Sequence, residues 1–369
     1  MYRDEFHVPG PGPYALTHSV GCLPKASAAA LYTNFFRPWQ SEGGGAWDAW
    51  LSTVETFRES LAALLGGSAA DYCPQANLSS GLAKLLPALP RSCERTVLLA
   101  AQDSFPSLAF VLQKSHQSGF ETRFIPNVRD PSNLTTWLDA MTPDVAAALV
   151  THVHSNTGLV APVAAIAAAC RDRGIHCIVD VAQSAGILPA SVTEFGADVV
   201  LGSCIKWLCG GPGAGFMWIR PALLSSLAPV DVGWFSHADP FEFDAHSFRY
   251  AADARRFWGG TPSVAPYAIA AESLRLIADI GVAAIRAHNV ELMEIFRDEL
   301  PPSWRRAIDL DRIGGTICLA LGEARAHLID SLRASAVRVD YRGAAVRLSF
   351  HIYNGAAEAA FIARCWRDT

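Results

Sequence analysis

Asp180 and Lys206 are the residues of this chain whose types and surroundings first suggest chemistry. Asp180 lies near the end of the short apolar run CIVDV (177–181), and Lys206 stands just beyond a second, ADVVLGS (197–203). Both runs read as strands passing into polar or glycine-rich turns. A carboxylate and an amine at the carboxyl ends of two strands of one α/β sheet stand where such sheets bind ligands, in the crevice beyond the strand ends. That pair suits pyridoxal 5'-phosphate. A lysine amine forms a Schiff base with its aldehyde, and an acid keeps its pyridine nitrogen protonated, so that the ring accepts electrons left on a substrate carbon. Plainer readings are a surface lysine at a strand end and an aspartate capping a turn. Against them, the apolar strand and the GGPG that flank Lys206 would leave its amine little water and lower its pKa towards reactivity. A carboxylate behind CIV is costly to bury without a cationic partner.

The elements that must hold this pair are legible as alternation. From about residue 70 to 230, the runs TVLLAA, TRFIP, AAALVTHV, HCIVDV, DVVLGS and GAGFMWIR alternate with Ala/Leu-rich helical stretches. That order predicts an α/β fold with a mainly parallel sheet flanked by helices. Residues 1 to about 35 read as a Pro/Gly-rich arm with a turn at HSVGCLPKA. A helix is expected over 46–65, stopping at a glycine pair, and the segment 262–300 reads as one or two long helices. Beyond Pro301 the runs RAIDL, TICLAL, RVDYR and AVRLSF with two helical stretches make a small α+β unit. The expected division is an arm over 1–35, a large domain over 36–262, and a linking helix with a small C-terminal domain over 263–369.

Composition narrows the class. Half of the 369 residues are hydrophobic (51%) and only 18% are charged, which fits a large buried core and not a disordered chain. A net charge of −5 without a basic cluster argues against nucleic acid as a partner. No apolar run reaches membrane-spanning length, and the first residues, MYRDEFHVPGPGPY, lack the apolar stretch of a signal peptide. Nine cysteines scattered through apolar segments read as reduced thiols, so a cytoplasmic setting is expected. No C-x-x-C pair occurs, and His152 with His154 is too sparse a set for a metal.

The block around Asp180 and Lys206 resembles fold-type-I pyridoxal-phosphate enzymes of the class V aminotransferase superfamily, and kynureninases in particular. The likeness runs in order through YALTHSVGCLPKA (14–26), DSFPS (103–107), KWLCGGPGAG (206–215), VGWFSH (232–237) and DYRGAAVRLSFHIYN (340–354). RRFWGGTPS (255–263) is closer to the cysteine desulfurase form. The resemblance implies a large domain with a mostly parallel seven-stranded sheet, a small α+β C-terminal domain, and an active site at a homodimer interface.

The resemblance also implies roles. Lys206 carries the cofactor, Asp180 meets the pyridine nitrogen, and Gln183 faces the ring and its phenolic oxygen, with Asn156 close to that oxygen. Phe105 lies on the ring face; a buried core phenylalanine is the alternative. Phosphate binding needs backbone N–H groups at a helix start plus hydroxyls. ANLSSGLAKLL (76–86) supplies such a start, with Leu78 and Ser79 at the matching positions, although a plain helix N-cap explains the sequence too. Ser203 is a further phosphate ligand. Ile205 stands where the family has a donor, leaving Trp234 and Thr261 as substitutes, Thr261 from the second subunit. Arg347, in an apolar strand, suits the substrate α-carboxylate; a salt bridge to Asp340 is the alternative.

For the reaction, the resemblance implies that an incoming α-amino acid displaces Lys206, whose freed amine takes the α-proton, with the ring and Asp180 holding the resulting carbanion. A kynureninase-like cleavage of the side chain is expected. Transamination and a non-catalytic protein that kept the fold are the alternatives. Where kynureninases hold the aryl ketone, this chain has SEGGGAW (41–47) and WGGTP (258–262), so kynurenine is not the expected substrate. Cys318 and Cys365 both lie outside the loop that carries a desulfurase nucleophile.

Overall fold

The structure, a computed structural model, describes residues 2–366. Its large sheet contains β1 (Tyr72–Gln75), β2 (Val97–Ala101), β3 (Glu121–Ile125), β4 (Val145–Thr151), β5 (His176–Asp180), β6 (Val199–Ser203) and β7 (Gly215–Ile219). The seven strands lie in the order β1-β7-β6-β5-β4-β2-β3. Only β7 runs against its neighbours, so the sheet is mostly parallel. Every residue of β2, β4 and β7 is buried and none is charged, as expected of strands covered on both faces. Successive residues of one strand face opposite layers. Val150, Val179 and Val200 enter one apolar cluster, while Leu149, Ile178 and Leu201 enter the other.

Six of these strands follow the expected runs. The seventh, β1, has the sequence YCPQ and gives no apolar alternation; its Pro74 is tolerated because β1 is an edge strand. The expected helix is α1 (Trp47–Leu65), stopped by Gly66 at φ 84°. After β1 comes the short helix α2 (Leu78–Leu85). The long helical segment is two helices, α3 (Ala265–Ile280) and α4 (Val282–Glu299), parted by Gly281 at φ 88°.

The C-terminal unit carries an antiparallel sheet of β8 (Thr316–Ala320), β9 (Asp340–Arg342) and β10 (Ala345–Ser349) in the order β8-β10-β9. A third core, including Phe296, Leu348 and Phe350, lies beneath it. RAIDL (306–310) is not a strand; it forms the turn after the short helix Pro302–Arg305.

The arm opens with a short 3-10 turn at Tyr2–Glu5 and reaches only as far as Pro24, and the first α-helix begins at Lys25, inside the segment read as arm. On its way the arm bridges both units. Tyr14 and Leu16 pair with Arg338 and Ser349 of the small unit, and the Gly21 N–H donates to Ile205 O at 2.8 Å in the large one.

Candidate active site

Parallel pairing of β5 with β6 sets Asp180 opposite Leu201, so Asp180 and the turn that follows Ser203 lie at the same edge of the sheet. The turn is pinned from three sides. Gly21 of the arm bonds Ile205 O, the His351 ring bonds Trp207 O at 3.0 Å, and Ser273 of α3 bonds Leu208 O. Trp207 is fully buried, which turns the adjacent Lys206 the other way, into a cavity of about 300 Å³ beyond the strand ends.

That cavity brings together Leu78, Ser79, Phe105, Asp180, Gln183, Ser203, Lys206 and Arg347. It does not include Asn156, Trp234 or Thr261. The neighbouring Ser155 lines it instead, while Asn156 opens on an adjacent cavity and accepts a hydrogen bond from Arg342 at 3.1 Å. Trp234 donates to Thr261 Oγ1 at 3.3 Å and stacks edge-on against Trp47, in an aromatic cluster apart from the cavity of the same protomer. Phe105 is 39% exposed, which removes the core alternative, and Lys206 Nζ lies 5.6 Å from its ring centroid.

Charge in the cavity is unevenly matched. The Asp180 carboxylate accepts the Ala182 N–H at 2.8 Å and meets no cation at ion-pair distance among the described residues. Burial raises its pKa, against the pull of that N–H and of Lys206. Burial also lowers the Lys206 pKa to about 8, helped by Arg347 and Arg342 and opposed by Asp180. Arg347 has the partner weighed as its alternative. It grips Asp340 through Nε (2.8 Å) and Nη2, and its Nη1 donates to Ser155 O at 2.8 Å. A guanidinium has five N–H groups, so two remain uncommitted among the described residues. Burial alone would raise Asp340, but hydrogen bonds from His18 and Arg347 outweigh it and hold that carboxyl well below the usual range.

Other assignments change in detail. The Gln183 amide is engaged with His18 O (3.0 Å) and with Trp207 Nε1 (3.3 Å), so it braces the arm and the lysine turn. The Ser79 hydroxyl donates to Asn77 Oδ1 at 2.8 Å, and the same oxygen caps α2 by accepting the Ser80 N–H. Asn77, His18, Asp103 and Arg342 line the cavity without having been singled out. Asn77 was legible as an N-cap. Arg342 was legible by strand period, two residues from Asp340 and therefore on the same face. Asp103 holds the buried His154 at 2.9 Å, a contact between distant segments with no local signal. Cys318 opens on the adjacent cavity, its thiol pushed up to about 12 by burial, and Cys365 is buried in the C-terminal core. Neither touches the Lys206 cavity.

The family model for class-V aminotransferases matches residues 94–360. The chain belongs to that family. Kynureninase of Deinococcus radiodurans is similar to it at 32% identity over 305 residues, 80% of this chain and 72% of that protein. The uncharacterized aminotransferase YcbU of Bacillus subtilis is 28% identical over 315 residues, 84% of this chain and 82% of the other. Among solved structures, a mutant of C-DES with glycine covalently linked to its PLP cofactor superposes with a TM-score of 0.88 at 20% identity, covering 99% of both chains. A cysteine desulfurase from Thermococcus onnurineus gives 0.84 at 19% identity, covering 99% of this chain and 96% of that one. At such identities the likeness speaks for the fold. This class-V aminotransferase relative is a pyridoxal-phosphate-dependent enzyme of the lyase, hydrolase or transaminase kind.

The residues present fit that cofactor. A buried carboxylate without a cation, an amine without a hydrogen-bond partner among the described residues, and the start of α2 all open on one cavity. Asp180 would hold the pyridinium, Lys206 the aldehyde carbon, and the Leu78–Ser79 helix start the phosphate. When bound, the cofactor supplies an electron sink for a carbanion at the substrate α-carbon.

Proposed function

We propose that the enzyme cleaves the side chain of an α-amino acid, as kynureninases do, on a substrate other than kynurenine. Asp180 without a cation and Lys206 without a hydrogen-bond partner, among the described residues, face one cavity, and this supports the reading most directly. Arg347, with two N–H groups that meet no partner among the described residues, is suited to hold the α-carboxylate. An amine with a pKa near 8 is fitted to take and return a proton close to neutral pH. Asp180, buried in the cavity, would hold a proton on the cofactor's ring nitrogen, and so support the electron sink that the cofactor would supply. The protein acts as a homodimer, in which Trp234 and Thr261 serve the partner's cavity. The exposed Trp39, Phe241, Phe243 and Phe248 are consistent with a covered face.

Borohydride reduction of the yellow holoenzyme should fix the cofactor on the peptide containing Lys206. Label on another lysine would remove the central assignment. A panel of amino acids, followed by the cofactor's visible absorbance and by product analysis, separates the branches: loss of the side chain supports cleavage, and a 2-keto acid with the side chain intact assigns transamination. Kynurenine and 3-hydroxykynurenine should release their anthranilates poorly. A site built to hydrogen-bond a substrate group favours that substrate over analogues lacking the group by about four to five orders of magnitude, an advantage that a site without those donors forgoes. Efficient anthranilate release would make this a kynureninase despite the glycines of SEGGGAW and WGGTP.

A further inference from the structure

Two guanidinium groups line the cavity, and only one has its charge matched. Arg347 is neutralised by Asp340. Arg342 has no carboxylate at ion-pair distance among the described residues; its Nη1 donates to Ser155 Oγ (2.8 Å) and Asn156 Oδ1 (3.1 Å), both neutral. Its Nε and Nη2 are left without a hydrogen-bond partner among the described residues. The two arginines share Ser155, one taking its carbonyl and the other its hydroxyl, so they stand side by side. Arg342 Cζ also lies 5.8 Å from the centroid of the Phe105 ring, the ring that Lys206 Nζ approaches at 5.6 Å. The second arginine, half-buried, thus lines the same cavity as the reacting amine. Burial and the adjoining Arg347 cation both disfavour its charged form. An unpaired, half-buried cation is costly unless an anion meets it during function.

We infer that Arg342 is a second anion subsite, and that the amino acid this enzyme binds carries an acidic group in its side chain as well as its α-carboxylate. This rests on the reading of Lys206 and Arg347 given above. The guanidinium fork suits a planar carboxylate or another oxyanion bidentately, and an uncharged amide of the same shape cannot replace it. The inference also gives the glycine-rich replacements a reason. A compact acidic side chain needs no aryl-ketone ligands, because its recognition comes from Arg342.

The test uses the holoenzyme. L-aspartate and L-glutamate are titrated against L-asparagine and L-glutamine by the change in visible absorbance. Succinate is titrated against propionate by calorimetry, which does not depend on chemistry at Lys206. A charge-assisted hydrogen bond corresponds to about tenfold to a hundredfold in affinity, so each acid should bind tighter than its neutral counterpart by that factor. Arg342→Gln should collapse the ratio towards one, and Arg342→Lys should keep part of it. Equal binding of acids and amides, or a ratio unchanged in Arg342→Gln, overturns the inference. So does a variant whose main defect is loss of the cofactor, which would assign Arg342 to the phosphate. If no amino acid alters the spectrum, the proposed function fails. The preference for succinate over propionate then still decides whether Arg342 is an anion site.

Discussion

Lys206 is held between opposing influences, and burial wins. Water is withheld by the buried Trp207 turn, and two arginines add repulsion, so its pKa falls to about 8 although Asp180 pulls the other way. A lowered lysine pKa puts more of the amine in its neutral, nucleophilic form at a given pH. The apo-protein should therefore combine with added pyridoxal phosphate at a rate rising about tenfold per pH unit up to about 8 and level above it. Stopped-flow absorbance measures this; a rise continuing past pH 10 would mean an ordinary, hydrated lysine. Asp340 has the opposite sign. Its carboxyl lies below its unfolded value, so the stability it lends is fully present above the ordinary carboxylate range and is lost only as pH falls well below it. Replacing it by asparagine leaves Arg347, 2% exposed, without its counter-charge. Asp340→Asn should cost about 3 kcal/mol in denaturant unfolding, with Arg347→Gln recovering part of the loss in the double variant.

At the scale of elements, the site depends on what pins the turn after β6. A Cβ on Gly21 would stand 2.1 Å from Lys206 O and 2.6 Å from Cys209 Sγ, so only glycine lets the arm lie against the lysine turn. Gly21→Ala should lift the arm, weaken cofactor retention and open residues 14–24 to protease. Gly44→Ala, where a Cβ would meet nothing within 4 Å, serves as the control. Unaltered cofactor retention in Gly21→Ala would show that His351 and Ser273 suffice. The same elements explain what could be read beforehand. Strands β2 and β4 to β7 are legible because burial on both faces leaves continuous apolar runs, and Asp180 and Lys206 stand out because they stand at or just beyond the ends of two of them. Strand β1 was hidden by its Pro and Gln. The helix at Lys25–Leu31 was hidden because it buries little besides Ser27 and shows no apolar stripe. Ser155 lines the cavity while Asn156 opens on its neighbour, and a turn hides in the sequence which of two adjacent polar residues faces inward. The Asp103–His154 pair joins segments 51 residues apart, and no local pattern announces it.

For the molecule as a whole, Trp234 and Thr261 lie outside the cavity of their own chain, and Thr261 is exposed. If each serves the partner's site, then dilution should dissociate the enzyme and loosen the cofactor together. Sedimentation and cofactor fluorescence across the same concentration range test this; a monomer that keeps its cofactor would confine the site to one chain. The arm has a different bearing on the whole. His18 meets Ser349 at 2.8 Å across 331 residues of chain, and the Arg3 guanidinium reaches Glu358 at 3.1 Å. During synthesis this segment is thus made long before its partners, since 331 residues of chain separate His18 from Ser349. Such long loops close late. The lysine turn, braced by Gly21, would then remain loosely held until Ser349 and Glu358 have been made and joined to the arm, and the enzyme would gain its full grip on the cofactor only after that.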